Sequence, residues 1–203
     1  FHDVDNEGYH VPVAHPALHE LYGREYYDSY LGNIPMTTGV VDDYPASNWS
    51  VARYKSLLPR QAHLPEEYQR LWLYFGLFPN TVIYFYPEKV GFYMSLPQGA
   101  AATRVISREY RLPGENRELA AAQYLSGRID QITGREDHNL VRWLQEAAHT
   151  SVFPLNNLSE LEGGVVQFHN QLKTLVPVMS LETPPAPGTL AEVNTTLLIN
   201  GSS

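Results

Sequence analysis

Residues 81–113 constrain the fold more than any other part of the chain. TVIYFYP, KVGFYMSLP and TRVISREYRLP are dense in β-branched and aromatic residues, the composition of half-buried strands. The link Pro87-Glu88-Lys89 and the turn Gln98-Gly99-Ala100 are too short for a crossover connection, so successive strands must pair antiparallel as a meander. VARYKSLL, at 51–58, reads as a further strand, giving four in all.

Helical patterns surround this sheet. PEEYQRLWLYFG opens with Pro65 at a favourable first-turn position and is expected to run to Gly76. NRELAAAQYLSGRIDQIT carries apolar residues at helical offsets, and further helices are expected near Arg135–Ala148 and Leu161–Leu175. An antiparallel sheet with helices gathered late in the chain defines the α+β class. Residues 20–50, rich in Tyr, Gly and Asp, read as a covering loop. The tail from Glu182, rich in Pro, Thr and Gly, is expected to cross the surface or a neighbouring subunit.

Composition excludes several functions. A chain of 203 residues, 43% hydrophobic, can bury one ordinary core, and we read it as a single domain. Its formal charge of −8 argues against a nucleic-acid partner, which needs clustered Lys and Arg. The most apolar run, LWLYFGLFPNTVIYFYP, approaches the length of a membrane span, but Pro79-Asn80 divides it, and no membrane partner is expected. No secretory signal opens the chain, and a cytoplasmic location is expected. With no cysteine there is no thiolate nucleophile and no cysteine-ligated cluster. Starting at Phe1, the chain reads as part of a longer or processed polypeptide.

The chemistry concentrates in EGYHVPVAHP, where His10 and His15 lie five apart. On a regular helix that spacing would point the second imidazole about 140° away from the first. Pro12, which removes a backbone donor and restricts Val11, is expected to unwind the segment and let the rings converge. A metal then needs further ligands, and iron in oxygen chemistry commonly takes two histidines and one carboxylate, leaving positions open.

EGYHVPVAHPAL resembles the iron-site motif of Rieske-type non-heme iron oxygenases, the ring-hydroxylating α subunits: an acid three residues before the first His, a Tyr-His pair, and a second His five positions on. A second block, residues 135–172, is similar to the family's later segment, with an acid-Asp pair ending at Asp137, then Gln145, Ser151, Leu158-Ser159, Glu162 and Phe168-His169 in order. The resemblance implies a helix-grip (START-like) fold, in which a curved antiparallel sheet wraps a long C-terminal helix. It implies that His10, His15 and Asp137 ligate mononuclear Fe(II). Glu7 takes the position of the acid that links this iron to a Rieske cluster in an adjacent subunit, where many members carry Asp.

The same resemblance implies reductive activation of O2 and attack on a small organic substrate. Electrons would come from an NAD(P)H-dependent reductase or a ferredoxin through a [2Fe-2S] cluster. That cluster belongs to an N-terminal Rieske domain that this chain lacks, and a homotrimer is the expected assembly. Aromatic compounds and quaternary ammonium compounds are both candidate substrates, since the 14 tyrosines could furnish an aromatic cage for a cation. Monooxygenation is favoured because nothing here identifies a partner β subunit. Two rivals stand beside this reading. A di-iron carboxylate protein would use Glu7/His10 and Glu146/His149 on long helices, and a non-catalytic helix-grip domain would only hold an apolar ligand.

Overall fold

The computed structural model describes residues 1–24, 26–114, 116–150 and 158–201. Six strands form one antiparallel meander in sequence order: β1 Tyr26–Leu31, β2 Ile34–Val40, β3 Leu71–Leu77, β4 Thr81–Tyr86, β5 Lys89–Gly99 and β6 Ala102–Arg111. The three strands expected at 81–113 are present, with Tyr86 opposite Lys89 and Gly99 opposite Ala102 across their turns. Among the helices, α1 is His2–Asp5, α2 Val11–Ala14, α3 Pro16–Tyr22, α4 Trp49–Leu57, α5 Arg117–Ala148, α6 Gly163–Leu175 and α7 Leu190–Gly201. A long helix against an antiparallel sheet is the helix-grip arrangement of the α+β class.

Several local expectations are corrected. The covering loop is largely a hairpin: β1 and β2 pair from Tyr26↔Gly39 to Leu31↔Ile34 around Gly32, whose φ of 61° suits a two-residue turn. VARYKSLL is helical. Asn48 accepts from the backbone N–H groups of Ser50 and Val51 at 2.9 and 3.3 Å, and the buried Val51 and Tyr54 are three apart, on one helix face. The helix expected over 65–76 is a single tight turn at Glu66–Tyr68 followed by β3, where aromatic side chains pack against β4.

The helices expected over 116–133 and 135–148 are one rod of 32 residues. Gly134 does not break it, since an internal glycine costs only about 1 kcal/mol relative to alanine. Ala122, Leu125 and Ile129 bury the first half of α5 against Val51 and Tyr54 of α4, Leu18 and Leu21 of α3, and Trp72 and Tyr86 of the sheet. Polar ties fix its height: Gln123 donates to the carbonyls of Glu88 and Leu112 at 3.1 and 3.0 Å. The remainder of α5 projects toward the N-terminal segment and carries Glu136 and Asp137 with it.

Candidate metal centre

His10 and His15 converge, but not where Pro12 would place the break. Residues 11–14 are helical, with Pro12 in the first turn of α2. The chain leaves helical geometry at His15, with φ −123° and ψ 75°, because Pro16 opens α3 and disfavours the helical region for the residue before it. That one non-helical residue swings the second imidazole back toward the first. The two Nε2 atoms are 3.0 Å apart.

Asp137 arrives from α5. Its Oδ1 lies 2.9 Å from Nε2 of His15 and 3.9 Å from Nε2 of His10. Among the described residues, these three form the one group of three or more His, Cys or acidic side chains close enough to share an ion. Two donor atoms each about 2.1 Å from a shared ion and at right angles to each other would be roughly 3.0 Å apart, so the spacing has the scale of a coordination sphere.

Both imidazoles are oriented from behind. Glu7 Oε1 meets Nδ1 of His10 at 2.5 Å, while its Oε2 accepts the His10 backbone N–H at 3.1 Å. Glu136 Oε2 meets Nδ1 of His15 at 2.9 Å. In the neutral tautomers that donate each Nδ1–H to a carboxylate, both Nε2 lone pairs would face the Asp137 carboxylate. Three acceptors facing one point without a proton between them call for a cation, so the donor set fits a metal ion. Burial opposes a charge on His15, but hydrogen bonds and charge from Asp137 and Glu136 outweigh it and raise its pKa above the ordinary value.

The turn before His10 is held by a close approach. A Cβ on Gly8 would come within 1.9 Å of the Tyr26 ring, so only glycine lets β1 lie against this segment, and the Gly8 N–H donates to Asp28 at 2.7 Å. A cavity of about 110 Å³ adjoins the triad, with Tyr26, Tyr74 and Tyr93 in its wall. Asp5 also lines it, one oxygen accepting from Tyr93 at 2.5 Å.

Other residues singled out in the sequence lie elsewhere. Gln145 bonds His149 on exposed α5, and Glu162 closes a capping box with Ser159. His169 pairs with Asp3, tying α6 to α1, a structural role. Ser151 lies outside the described residues. The sequence reading gives Glu136 no role, although its place beside Asp137 in an acidic pair is a signal for one.

A helix-grip domain that gathers two histidines and a helix-borne aspartate beside a cavity defines a class of candidate mononuclear metal proteins. The chain belongs to the ring hydroxylating alpha subunit (catalytic domain) family, whose profile matches residues 1–177. No curated protein matches it. Among solved structures it is similar to the quaternary ammonium Rieske monooxygenase CntA in complex with an inhibitor, with a TM-score of 0.55 at 16% identity, covering 84% of this chain and 45% of that one. A second structure, of a quaternary ammonium Rieske monooxygenase described for carnitine oxidation by gut microbiota and inter-subunit electron transfer, gives a TM-score of 0.56 with the same identity and coverage. At this identity the likeness shows the fold, and the chain spans less than half the length of these proteins.

Proposed function

We propose that this chain is the catalytic part of a Rieske-type oxygenase that holds one Fe(II) on His10, His15 and Asp137. The observation that carries the reading is the inward-facing set of two Nε2 atoms and one carboxylate oxygen, with both Nδ1 atoms secured by Glu7 and Glu136. These three residues would hold the iron next to the cavity, where it would supply dioxygen activation. Where one oxygen atom is inserted, the balance is one O2, two electrons, two protons and one substrate C–H group giving one C–OH group and one water; where both are inserted, the same inputs and one aromatic C=C bond give a diol and no water.

The residues divide the work. His10 and His15 offer neutral nitrogens, and Asp137 lowers the net charge of the centre. Glu136 keeps His15 in the tautomer that presents Nε2, and Glu7 does the same for His10. Glu7 would also pass the electron inward, its carboxylate being bonded to the ligand histidine His10. A Rieske [2Fe-2S] cluster in a neighbouring subunit of a homotrimer, fed by a reductase or ferredoxin, would complete the path. Tyr26, Tyr74 and Tyr93 give the cavity aromatic walls suited to an aromatic compound or, through their ring faces, to a quaternary ammonium group. Whether one oxygen atom or two enter the product is set by that unassigned substrate.

The di-iron alternative loses its second site: Glu146 and His149 lie at the exposed end of α5, their partners being Arg142 and Gln145. The deciding measurement is the iron content of anaerobically purified protein. One ferrous ion per chain, lost in His10→Ala and Asp137→Ala, supports the centre. Two would restore the di-iron reading, and none would leave a ligand-holding domain.

A further inference from the structure

Behind the cavity wall lies an aromatic cluster that neither metal binding nor substrate packing accounts for. Tyr74 lines the cavity beside the His/His/Asp group. Its ring meets Tyr86 edge-on at 5.8 Å between centroids, and Tyr86 stacks on Trp72 at 3.5 Å with 12° between the planes. Tyr84, half-buried, lies 5.1 Å from Tyr86 and 6.3 Å from Tyr74 between ring centroids.

The polar ends of these rings form hydrogen-bonded paths to carboxylates. Tyr86 donates its hydroxyl hydrogen to Asp130 Oδ1 at 2.8 Å. Because that is its only hydrogen, Tyr74 must be the donor across the 2.9 Å contact between the two hydroxyls. On the other side of the stack, Trp72 Nε1–H donates to the Tyr54 hydroxyl at 2.8 Å, and Tyr54 donates to Glu88 at 2.9 Å. Phenylalanine or leucine would fill this space without burying hydroxyls and acids. Polar groups inside a core are costly unless hydrogen-bonded; hydrogen-bonded as these are, they supply proton paths that an apolar core lacks.

We propose that Tyr74, Tyr86 and Trp72 form a redox relay that conducts one-electron oxidising equivalents out of the cavity, sparing the ligand histidines when no substrate consumes them. The proposal rests on the oxygenase reading, since only dioxygen chemistry would place such oxidants there. In the first step Tyr74 gives one electron to a peroxide-derived oxidant in the cavity, which is thereby reduced. The Tyr74 O–H bond breaks and its proton passes to Tyr86, while the Tyr86 proton passes to Asp130. A neutral phenoxyl radical and a neutral Asp130 carboxyl result. Burial pushes both phenols well above their ordinary range, so proton and electron must leave together. Tyr86 then gives an electron to Tyr74 and returns the proton across the same hydroxyl contact, leaving the neutral radical on Tyr86. Trp72 in turn gives an electron to Tyr86, which takes its proton back from Asp130, while the Trp72 Nε1 proton passes to Tyr54 and the Tyr54 proton to Glu88. A thiol reductant in solution finally returns one electron, becoming a thiyl radical, and Glu88 returns the proton along the same path.

The test is rapid-freeze EPR on the full chain reconstituted with ferrous iron and challenged with hydrogen peroxide without substrate, followed by iron analysis and peptide mapping. The wild type should show a free-radical signal, with oxidation mapping to Tyr74, Tyr86 or Trp72. Tyr86→Phe keeps the stack on Trp72 but severs the proton path. It should lose most of the signal, release iron several-fold faster and take oxidation onto His10 and His15. Tyr74→Phe should behave likewise and decides the matter if Tyr86→Phe does not fold, while the exposed Tyr44→Phe should match the wild type. An iron-loaded wild type without a radical, or a folded Tyr74→Phe that keeps the wild-type signal and iron retention, would overturn the relay alone. A wild type that takes up no iron would overturn the metal assignment and the relay together.

Discussion

Glu136 and His15 are joined by a 2.9 Å contact between Oε2 and Nδ1, while the next residue, Asp137, approaches the other nitrogen of the same ring at 2.9 Å. Consecutive positions on a helix point about 100° apart, and the longer glutamate side chain reaches the far edge of the imidazole while the shorter aspartate meets the near one. One ring is thus clamped by two adjacent acids. Glu136→Gln should keep the fold and weaken iron binding by about 10- to 100-fold, the usual cost of losing a partner behind a ligand histidine. Competition with a chelator would measure it, and unchanged affinity would remove Glu136 from the centre.

Glu7 and His10 separate retention from delivery. His10→Ala should empty the site with little change in the melting temperature of the metal-free chain. Glu7→Gln also loses the partner behind a ligand histidine and should bind iron about 10- to 100-fold more weakly, yet once saturated with iron it should still be reduced more slowly by the physiological donor. Stopped-flow reduction of the complete oxygenase, beside iron analysis of each variant, distinguishes the two; a Glu7→Gln enzyme reduced at the wild-type rate removes the electron-path role.

Asp5 makes stability fall as pH rises. Burial raises its pKa to about 7, against a lowering hydrogen bond from Tyr93, and its second oxygen has no hydrogen-bond partner among the described residues. A carboxyl group whose folded pKa exceeds its unfolded value of 3.8 binds its proton more tightly when folded. Its contribution is therefore present below pH 4 and lost as pH climbs to about 7. Asp5→Asn should flatten this part of the profile and stabilise the chain at pH 8 by on the order of 2 kcal/mol. Urea titrations at pH 5 and pH 8 provide the comparison, and parallel profiles would contradict the assignment.

Lys89 is wholly buried and bonds both Glu109 at 2.6 Å and Asp130 at 2.7 Å. Lys89→Met would leave two half-paired acids between β6 and α5. The full cost of breaking a buried pair is about 3–5 kcal/mol, and the partial exposure of these carboxylates should reduce it to about 2–3 kcal/mol. Chemical denaturation reads this directly. A variant as stable as the wild type would show the charges to be solvated.

What could be read from sequence followed from how far each signal stood above its neighbours. The meander from Thr81 to Arg111 was legible because its links are too short for anything but hairpins. The β1–β2 hairpin was not, because Tyr-, Gly- and Asp-rich segments at a sheet edge lack a sharp apolar alternation. Leu71–Leu77 was assigned to the wrong element because an apolar run fits a helix or a strand until a pairing partner decides. In VARYKSLL the β-branched Val51 drew the reading toward a strand, though Asn48 was a visible helix cap. His10 and His15 stood out by type and spacing. Asp137, far along the chain, was reached through family resemblance, since no periodicity links α2 to the middle of α5.

The continuity of α5 makes the candidate centre depend on helical phase. Arg117 through Asp137 lie on one uninterrupted screw, anchored near its start by Gln123 and bearing the acid pair well beyond that anchor. Deleting one residue between them would turn both acids about 100° about the axis, as a gear cut one tooth short misses its neighbour. Evolution can therefore exchange side chains along this stretch more freely than it can change the count.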